Sequence, residues 1–263
     1  MIPPLFRGLC DDAAMFPPGN ASAPDAVAGH EEYRDAWYRE LVGPLIIAGG
    51  RIGEVVAAAD GRRPRVVVVG TGLPAEPPPL DVVGVELAAE DVAAAVALLD
   101  RDLPPGATGT VEVPRGPGTE KALDLLAATP YRAKFRTGGT VAEAFPGERE
   151  LAESLVAAVA RGLPFKCTAG LHNAVRHADP ATGFEHHGFL NVLAATHAAR
   201  DGGDADAVAG ILALRSGPSL AELLTGLDAR QAEAVRGSFV SYGTCSITEP
   251  LDDLIALGLI PAP

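Results

Sequence analysis

The chain contains little positive charge and very little lysine. Its 263 residues include 34 aspartates and glutamates against 21 lysines and arginines, and its formal net charge is −13. Proteins that bind a nucleic-acid backbone normally present clustered basic side chains, so this balance argues against a nucleic-acid partner. Only Lys121, Lys134 and Lys166 are lysines. Because arginine stays protonated whereas a desolvated lysine can lose its proton, each lysine is a candidate for chemistry.

Cysteine is equally scarce, and long apolar runs are missing. Cys10, Cys167 and Cys245 are an odd number, lie far apart and show no metal-ligand spacing, which indicates reduced thiols. The chain does not open with a basic segment followed by an apolar one, and no apolar run approaches the roughly 20 residues that span a bilayer. We therefore expect a cytoplasmic protein with no membrane partner.

The order of the predicted elements is that of an α/β protein with a closed barrel. Strand-like runs alternate with helical patterns, which is typical of βαβ units and a parallel sheet. Residues 65–70 form the clearest strand, because their β-branched run suits a strand covered on both faces. Further strands are predicted at residues 13–16, 44–48, 82–87 and 110–113, around Lys134 and Lys166, and at 237–246. These eight strands predict a single (β/α)8 TIM-type barrel domain over residues 1–263.

Two connections depart from an ideal barrel. Residues 71–80 contain four prolines, which exclude a regular helix. Residues 172–236, between the seventh and eighth strands, are far longer than one crossover helix requires and carry five of the six histidines. We expect this stretch to be a long helical insertion that acts as a lid or as the arm of a homo-oligomer.

Lys134 and Lys166 lie in neighbouring predicted strands, near the end of the barrel where active sites of this fold are found. Because side chains alternate along a strand, we place Phe135 and Phe165 outward and both lysines inward. Two desolvated ammonium groups so close together repel each other, which should lower the pKa of at least one. Lys121 lies in the first turn of a predicted helix and is expected to be solvated.

The two lysine motifs resemble those of the deoxyribose-phosphate aldolases and of class I aldolase TIM barrels more broadly. Lys134 in Lys-Phe-Arg-Thr-Gly-Gly139 is similar to their Lys-Thr-x-Thr-Gly sixth strand, and Lys166 in Phe-Lys-Cys-Thr-Ala-Gly170 is similar to their seventh strand. The resemblance implies that Lys134 forms a Schiff base and that Lys166 depresses its pKa. Tyr242-Gly-Thr-Cys-Ser246 resembles the family's phosphate-binding Gly-x-Ser turn, and Asp11-Asp12 resembles its first-strand aspartate.

Other residues depart from that family. Its third strand carries an essential aspartate, whereas residues 66–70 contain none, so Glu86 or Glu112 would have to supply the carboxylate. Arg136 stands where the family has a small residue, which points to a carboxylate or phosphate on the substrate. Leu171 replaces the second glycine of the family's seventh-strand turn.

The predicted function is a class I aldolase or related carbon–carbon lyase that acts on a small anionic carbonyl compound without a cofactor or metal. The expected catalytic residues are Lys134, Lys166, Asp12, Glu112 and His172, and the expected substrate-binding residues are Arg136, Thr168, Gly170, Glu86, Gly243 and Ser246. Two alternatives stay open. One is a metal-dependent barrel enzyme that uses Glu86, Glu112 and histidines of residues 172–236. The other is a non-catalytic barrel that binds a small anionic metabolite.

Overall fold

Eight parallel strands close into a barrel in the computed structural model, which describes residues 1–70, 78–88 and 90–262. The barrel strands are β1 (Cys10–Asp12), β2 (Val42–Ala48), β3 (Arg65–Gly70), β4 (Asp81–Leu87), β5 (Thr108–Glu112), β6 (Arg132–Arg136), β7 (Phe165–Thr168) and β10 (Phe239–Thr244). Two further short strands, β8 (His177–Ala178) and β9 (Glu185–His186), form a separate antiparallel pair. Strands β1 to β7 follow one another around the barrel, and β10 closes it between β7 and β1. The predicted TIM-type barrel is confirmed.

Helices surround the barrel and occupy most of the connections between its strands. They are α1 (Ala23–Asp35), α2 (Ile52–Ala59), α3 (Val92–Asp102), α4 (Thr119–Ala127), α5 (Glu148–Ala160), α6 (Phe189–Arg200), α7 (Ala205–Leu212), α8 (Gly217–Thr225), α9 (Ala229–Ser238) and α10 (Thr248–Ala256). Across the described ranges, none of these helices has the length and apolar character needed to cross a membrane. Most of the proline-rich connection after β3, residues 71–77, lies outside the described residues.

Side-chain caps fix where several helices begin. Ser22 accepts a hydrogen bond from the backbone of Asp25 at the start of α1. Asp91 does the same for two backbone N–H groups of α3, and Asp228 forms a reciprocal capping box with Gln231 on α9. Such caps satisfy backbone donors that have no partner within the helix, and each contributes about 1 kcal/mol.

The first strand begins earlier than the sequence pattern predicts. It covers Cys10–Asp12, whereas the prediction placed it at residues 13–16. The sequence pattern missed this strand because a buried strand is normally recognised by its apolar residues, and two of its three residues are aspartates. Asp11 points into the barrel, and Asp12 instead bonds with the buried His30 of α1, 3.0 Å away. A strand that buries a charge on each face gives no apolar periodicity.

The apolar core lies between the outer face of the strands and the helices. Phe135 and Phe165 pack against each other there with ring centroids 5.4 Å apart, as the alternation of side chains predicts. Phe239 of β10 stacks on Phe165 at 5.5 Å. Burying a phenylalanine side chain contributes about 1.5–3 kcal/mol, so this outer layer stabilises the barrel while leaving its interior free for polar groups.

The connection from β7 to β10 contains the antiparallel ribbon β8–β9 and helices α6 to α9. Helix α6 is buried along most of its length and contacts β10, as a barrel helix does. Helices α7 and α8 pack against α6 from outside. The stretch is thus helical only in part, and its expected role as a lid or dimer arm stays a prediction.

Candidate functional site

Six charged side chains form one connected network inside the barrel. In order of contact they are Asp11, Lys166, Glu86, Lys134, Glu112 and Arg136. They come from β1, β7, β4, β6 and β5, so five strands converge on the network. Three positive and three negative groups balance, and a balanced arrangement is what allows charges to be buried at all.

The strand register explains why the two lysines meet. Lys134 pairs with Lys166 across β6 and β7, and Glu112 pairs with Lys134 across β5 and β6. Residues paired in register on parallel strands point to the same face, so all three side chains enter the barrel. The inward orientation predicted for both lysines is therefore the one observed.

Lys166 lies near the end of the network opposite Arg136, next to Asp11. Its Nζ is 2.5 Å from Asp11 Oδ2 and also donates to Glu86, and only 6% of its side chain is exposed. Burial alone would lower the pKa of Lys166, but the two carboxylates outweigh burial and hold the pKa above its usual range. Lys166 is therefore not the lysine whose pKa is lowered by crowding, because Glu86 lies between it and Lys134.

Glu86 is the carboxylate that both lysines share. Burial raises the pKa of Glu86, but Lys166 and Lys134 together overcome burial and lower it to about 2. Burial also raises the pKa of Asp11, and there the hydrogen bonds from Lys166 and Ser241 offset only part of the effect. Glu86 is therefore the firmly ionised centre of the network, while Asp11 is the carboxyl most easily protonated.

The network becomes more exposed toward the C-terminal ends of the strands. The exposed fraction of the side chain is 3% for Lys134, 18% for Glu112 and 41% for Arg136. Glu112 and Arg136 end their strands, and Arg136 Nε donates to Glu112 Oε1 at 2.9 Å. Because substrates of this fold bind at the C-terminal ends of the strands, the Lys134–Glu112 pair lies nearer to an incoming molecule than Lys166 does.

The backbones of the loops after β6 and β7 touch beside this end of the network. Thr137 N donates to Thr168 O at 2.9 Å, and a Cβ placed on Gly170 would lie 2.9 Å from Thr137 O. Gly170 also has a φ of +76°, which favours glycine. Gly170, a predicted substrate-binding residue, is therefore required by the close approach of the two loops.

His172, a predicted catalytic residue, lies outside the lysine network. Its Nδ1 is 3.3 Å from Glu249 Oε2 and 3.5 Å from both Thr244 Oγ1 and Cys245 Sγ. These contacts hold the imidazole at the end of β10. A role for His172 in proton transfer stays a prediction.

Three further predicted residues take other positions. Asp12 faces outward to His30, so it is Asp11 that the first strand contributes to the network. Gly243 lies within β10 and not in a turn. Ser246 Oγ accepts a hydrogen bond from the backbone N–H of Glu249 at the start of α10. The Asp11-Asp12 pair was the only signal for the first-strand carboxylate, and it could not decide which of the two points inward.

The metal-dependent alternative receives no support from the side chains that it invoked. Glu86 and Glu112 bind lysines, whereas His186 Nδ1 lies 3.2 Å from Gly170 O and His187 Nε2 lies 2.8 Å from Pro146 O. Among the residues that the structure describes, no group of three or more histidine, cysteine, aspartate or glutamate side chains is arranged to hold a metal ion.

His187 is buried as a neutral imidazole with both nitrogens used. Arg176 Nη1 lies 3.2 Å from Nδ1 and donates to it, and Nε2–H donates to Pro146 O. Burial lowers the pKa of His187 from 6.5 to about 4. The unfolded chain then binds a proton more readily than the folded one, so stability is lost as the pH falls through 6.5 toward 4.

Because His187 is buried as a neutral imidazole, we expect the free energy of unfolding to depend on pH. Between pH 7 and 4 the wild type should lose up to about 3 kcal/mol of unfolding free energy through His187 alone. His187→Gln should be less stable at pH 7 but should lose less on acidification, so the two proteins converge. Urea unfolding at several pH values measures this, with the partly exposed His197→Gln as control. Parallel pH profiles for His187→Gln and the wild type would contradict the assignment.

Searches against protein-family models and against characterised proteins found no match for this chain. The resemblance to deoxyribose-phosphate aldolases therefore rests on the short motifs of the sequence alone. The function has to be inferred from the chemistry of the network and its position in the barrel.

Proposed function

We propose that this chain is a Schiff-base-forming barrel enzyme, a class I aldolase or related carbon–carbon lyase, that acts on a small anionic carbonyl compound through Lys134. One observation carries the proposal: Lys134 Nζ lies between two carboxylates, 3.2 Å from Glu86 and 3.1 Å from Glu112, beside the more exposed end of the network. A lysine that attacks a carbonyl needs a neighbouring base, and both carboxylates are within reach.

The residues of the network have different roles in the proposed reaction. Lys134 loses a proton to Glu112 and attacks the carbonyl carbon, and the carbonyl oxygen takes a proton from the attached nitrogen to become a hydroxyl group. Glu112 then returns its proton to that hydroxyl group, which leaves as water as the carbon–nitrogen double bond of the iminium ion forms. The resulting iminium ion accepts the electron pair of the breaking carbon–carbon bond, while a carboxylate takes the proton from the substrate hydroxyl. Lys166 stays protonated between Asp11 and Glu86, and Lys134, which contacts the more exposed Glu112, is the amine proposed to react.

Arg136 is the residue proposed to bind the anionic group of the substrate. Its Nε and Nη2 bind Glu112, while Nη1 makes no hydrogen bond within the described ranges. The guanidinium can therefore bridge Glu112 and a carboxylate or phosphate at the mouth of the barrel. Thr168, which ends β7 and pairs in register with Arg136, is proposed to line the same region.

Trapping with borohydride tests the proposal cleanly, because the chain has only three lysines and one N-terminal amine. We expect small keto acids or aldehyde phosphates to leave a reduced adduct on Lys134 in the wild type and in the exposed control Lys121→Met, located by peptide mass mapping. Lys134→Met should give none. An adduct that persists in Lys134→Met contradicts the assignment of Lys134, and an absence of adducts across a broad panel would favour the non-catalytic barrel.

The proposal also includes a homo-oligomer in the cytoplasm. Neither property follows from the geometry of the lysine network. Sedimentation of the purified protein measures the oligomeric state directly.

A further inference from the structure

A cavity of about 250 Å³ lies at the N-terminal end of the barrel, opposite the end at which Glu112 and Arg136 are exposed. Its rim includes Arg65, Thr108 and Arg132, the first residues of β3, β5 and β6, and its inner end is lined by Lys166. A water occupies about 30 Å³ in the liquid, so the cavity has room for a small ion together with several waters.

Two polar side chains face this cavity without a partner. Arg132 precedes Lys134 by two residues on β6, so its side chain shares the inward face. Thr110 pairs with Arg132 in register and is only 4% exposed. Within residues 1–70, 78–88 and 90–262, neither the Arg132 guanidinium nor the Thr110 hydroxyl makes a hydrogen bond or ion pair. Arg132 is only partly buried, and neither donor is closed off from the cavity, so both are available to a ligand that enters it.

The charges around the cavity favour an anion. Asp11 and Glu86 reach its inner end, but both already accept hydrogen bonds from Lys166, whose ammonium lines the same space. Arg65 at the rim is 3.8 Å from the exposed Asp81. Among the charged groups described around the cavity, Arg132 is the cation that makes no direct ion pair, although Asp11 lies near enough to interact with it electrostatically.

We propose that the N-terminal cavity binds a small oxyanion of the size of phosphate. Arg132 supplies a planar pair of N–H donors, the geometry that matches two oxygens of an oxyanion, and Thr110 supplies a hydroxyl donor deeper in the cavity. An anion held there lies on the cavity side of Lys166 and favours its protonated form. The site is separate from the substrate end of the barrel and does not depend on the proposed Schiff-base chemistry.

Titration with inorganic phosphate at constant ionic strength, maintained with sodium chloride, tests the site by calorimetry and thermal unfolding. The wild type should show saturable binding. Loss of a charge-assisted bidentate contact should weaken the binding by roughly 10- to 100-fold in Arg132→Met, and loss of one neutral donor by roughly 2- to 10-fold in Thr110→Val. The exposed Arg230→Met, which removes a surface guanidinium, should bind as the wild type does.

The outcomes separate this cavity from the other end of the barrel. Phosphate binding that is absent in the wild type, or that is lost in Arg136→Met but retained in Arg132→Met, overturns the proposal. If Arg132→Met does not fold, Thr110→Val decides, because valine keeps the shape of threonine and removes only the hydroxyl. Unchanged phosphate affinity in Thr110→Val would then place the ion elsewhere.

Discussion

Replacing Lys166 by methionine is expected to lower the free energy of unfolding by about 3–5 kcal/mol at pH 7. The substitution leaves Asp11 and Glu86, each 3% exposed, side by side without the ammonium that both contact. Methionine is similar in length and flexible, so loss of packing contributes little. The expected loss of stability therefore comes from burying carboxylate charge without a partner.

The pH dependence and a second substitution distinguish this electrostatic cause from a packing defect. The deficit should shrink as the pH falls toward 4, because protonation relieves the unpaired carboxyls. Lys166→Met combined with Asp11→Asn should recover part of the lost stability, since one buried charge is removed with the other. Lys121→Met, at an exposed lysine, should stay within about 0.5 kcal/mol of the wild type in the same urea titrations. A deficit that is constant with pH would rule out the electrostatic explanation.

The parts of the fold that could be predicted from the sequence are those with a local signal. The uninterrupted β-branched run of β3 indicates a buried strand, the residues around Lys134 and Lys166 alternate between the two faces, and together with the spacing of the helices they predict a barrel. The same alternation predicts which side of β6 and β7 faces inward. Residues adjacent in the chain contain this information, so no tertiary contact is needed to obtain it.

The ionisation of the network could not be predicted in the same way. Lys166 contacts Asp11 and Glu86, which are 155 and 80 residues away in the chain. The expected lysine–lysine repulsion follows from neighbouring strands alone, whereas the carboxylates that raise the pKa of Lys166 come from β1 and β4. The sequence could not show that Asp11, and not Asp12, points into the barrel for a related reason: a three-residue strand is too short to show which face is buried.

Replacing Gly188 by alanine is expected to lower the free energy of unfolding by about 3 kcal/mol or more. A Cβ at this position would lie 2.3 Å from Ala174 O and 2.5 Å from Val175 C, both backbone atoms that cannot rotate away. The chain after β7 and the start of α6 would have to separate, although Phe189 N donates to Asn173 O there at 3.1 Å. The clash would therefore disturb the loop that leads from the lysine strand β7.

Gly210 provides the matched control for this prediction. It lies within α7, and a Cβ there would meet nothing within 4 Å, so Gly210→Ala should stabilise the protein by about 0.5–1 kcal/mol through helix propensity alone. Urea unfolding of both variants compares the same added methyl group where backbone atoms crowd it, at residue 188, and where nothing lies near it, at residue 210. If Gly188→Ala were as stable as the wild type, the backbone contact between residue 188 and residues 174–175 could not be as tight as described. An opposite sign for the two substitutions would show that close backbone approach, and not helix propensity, requires glycine before α6.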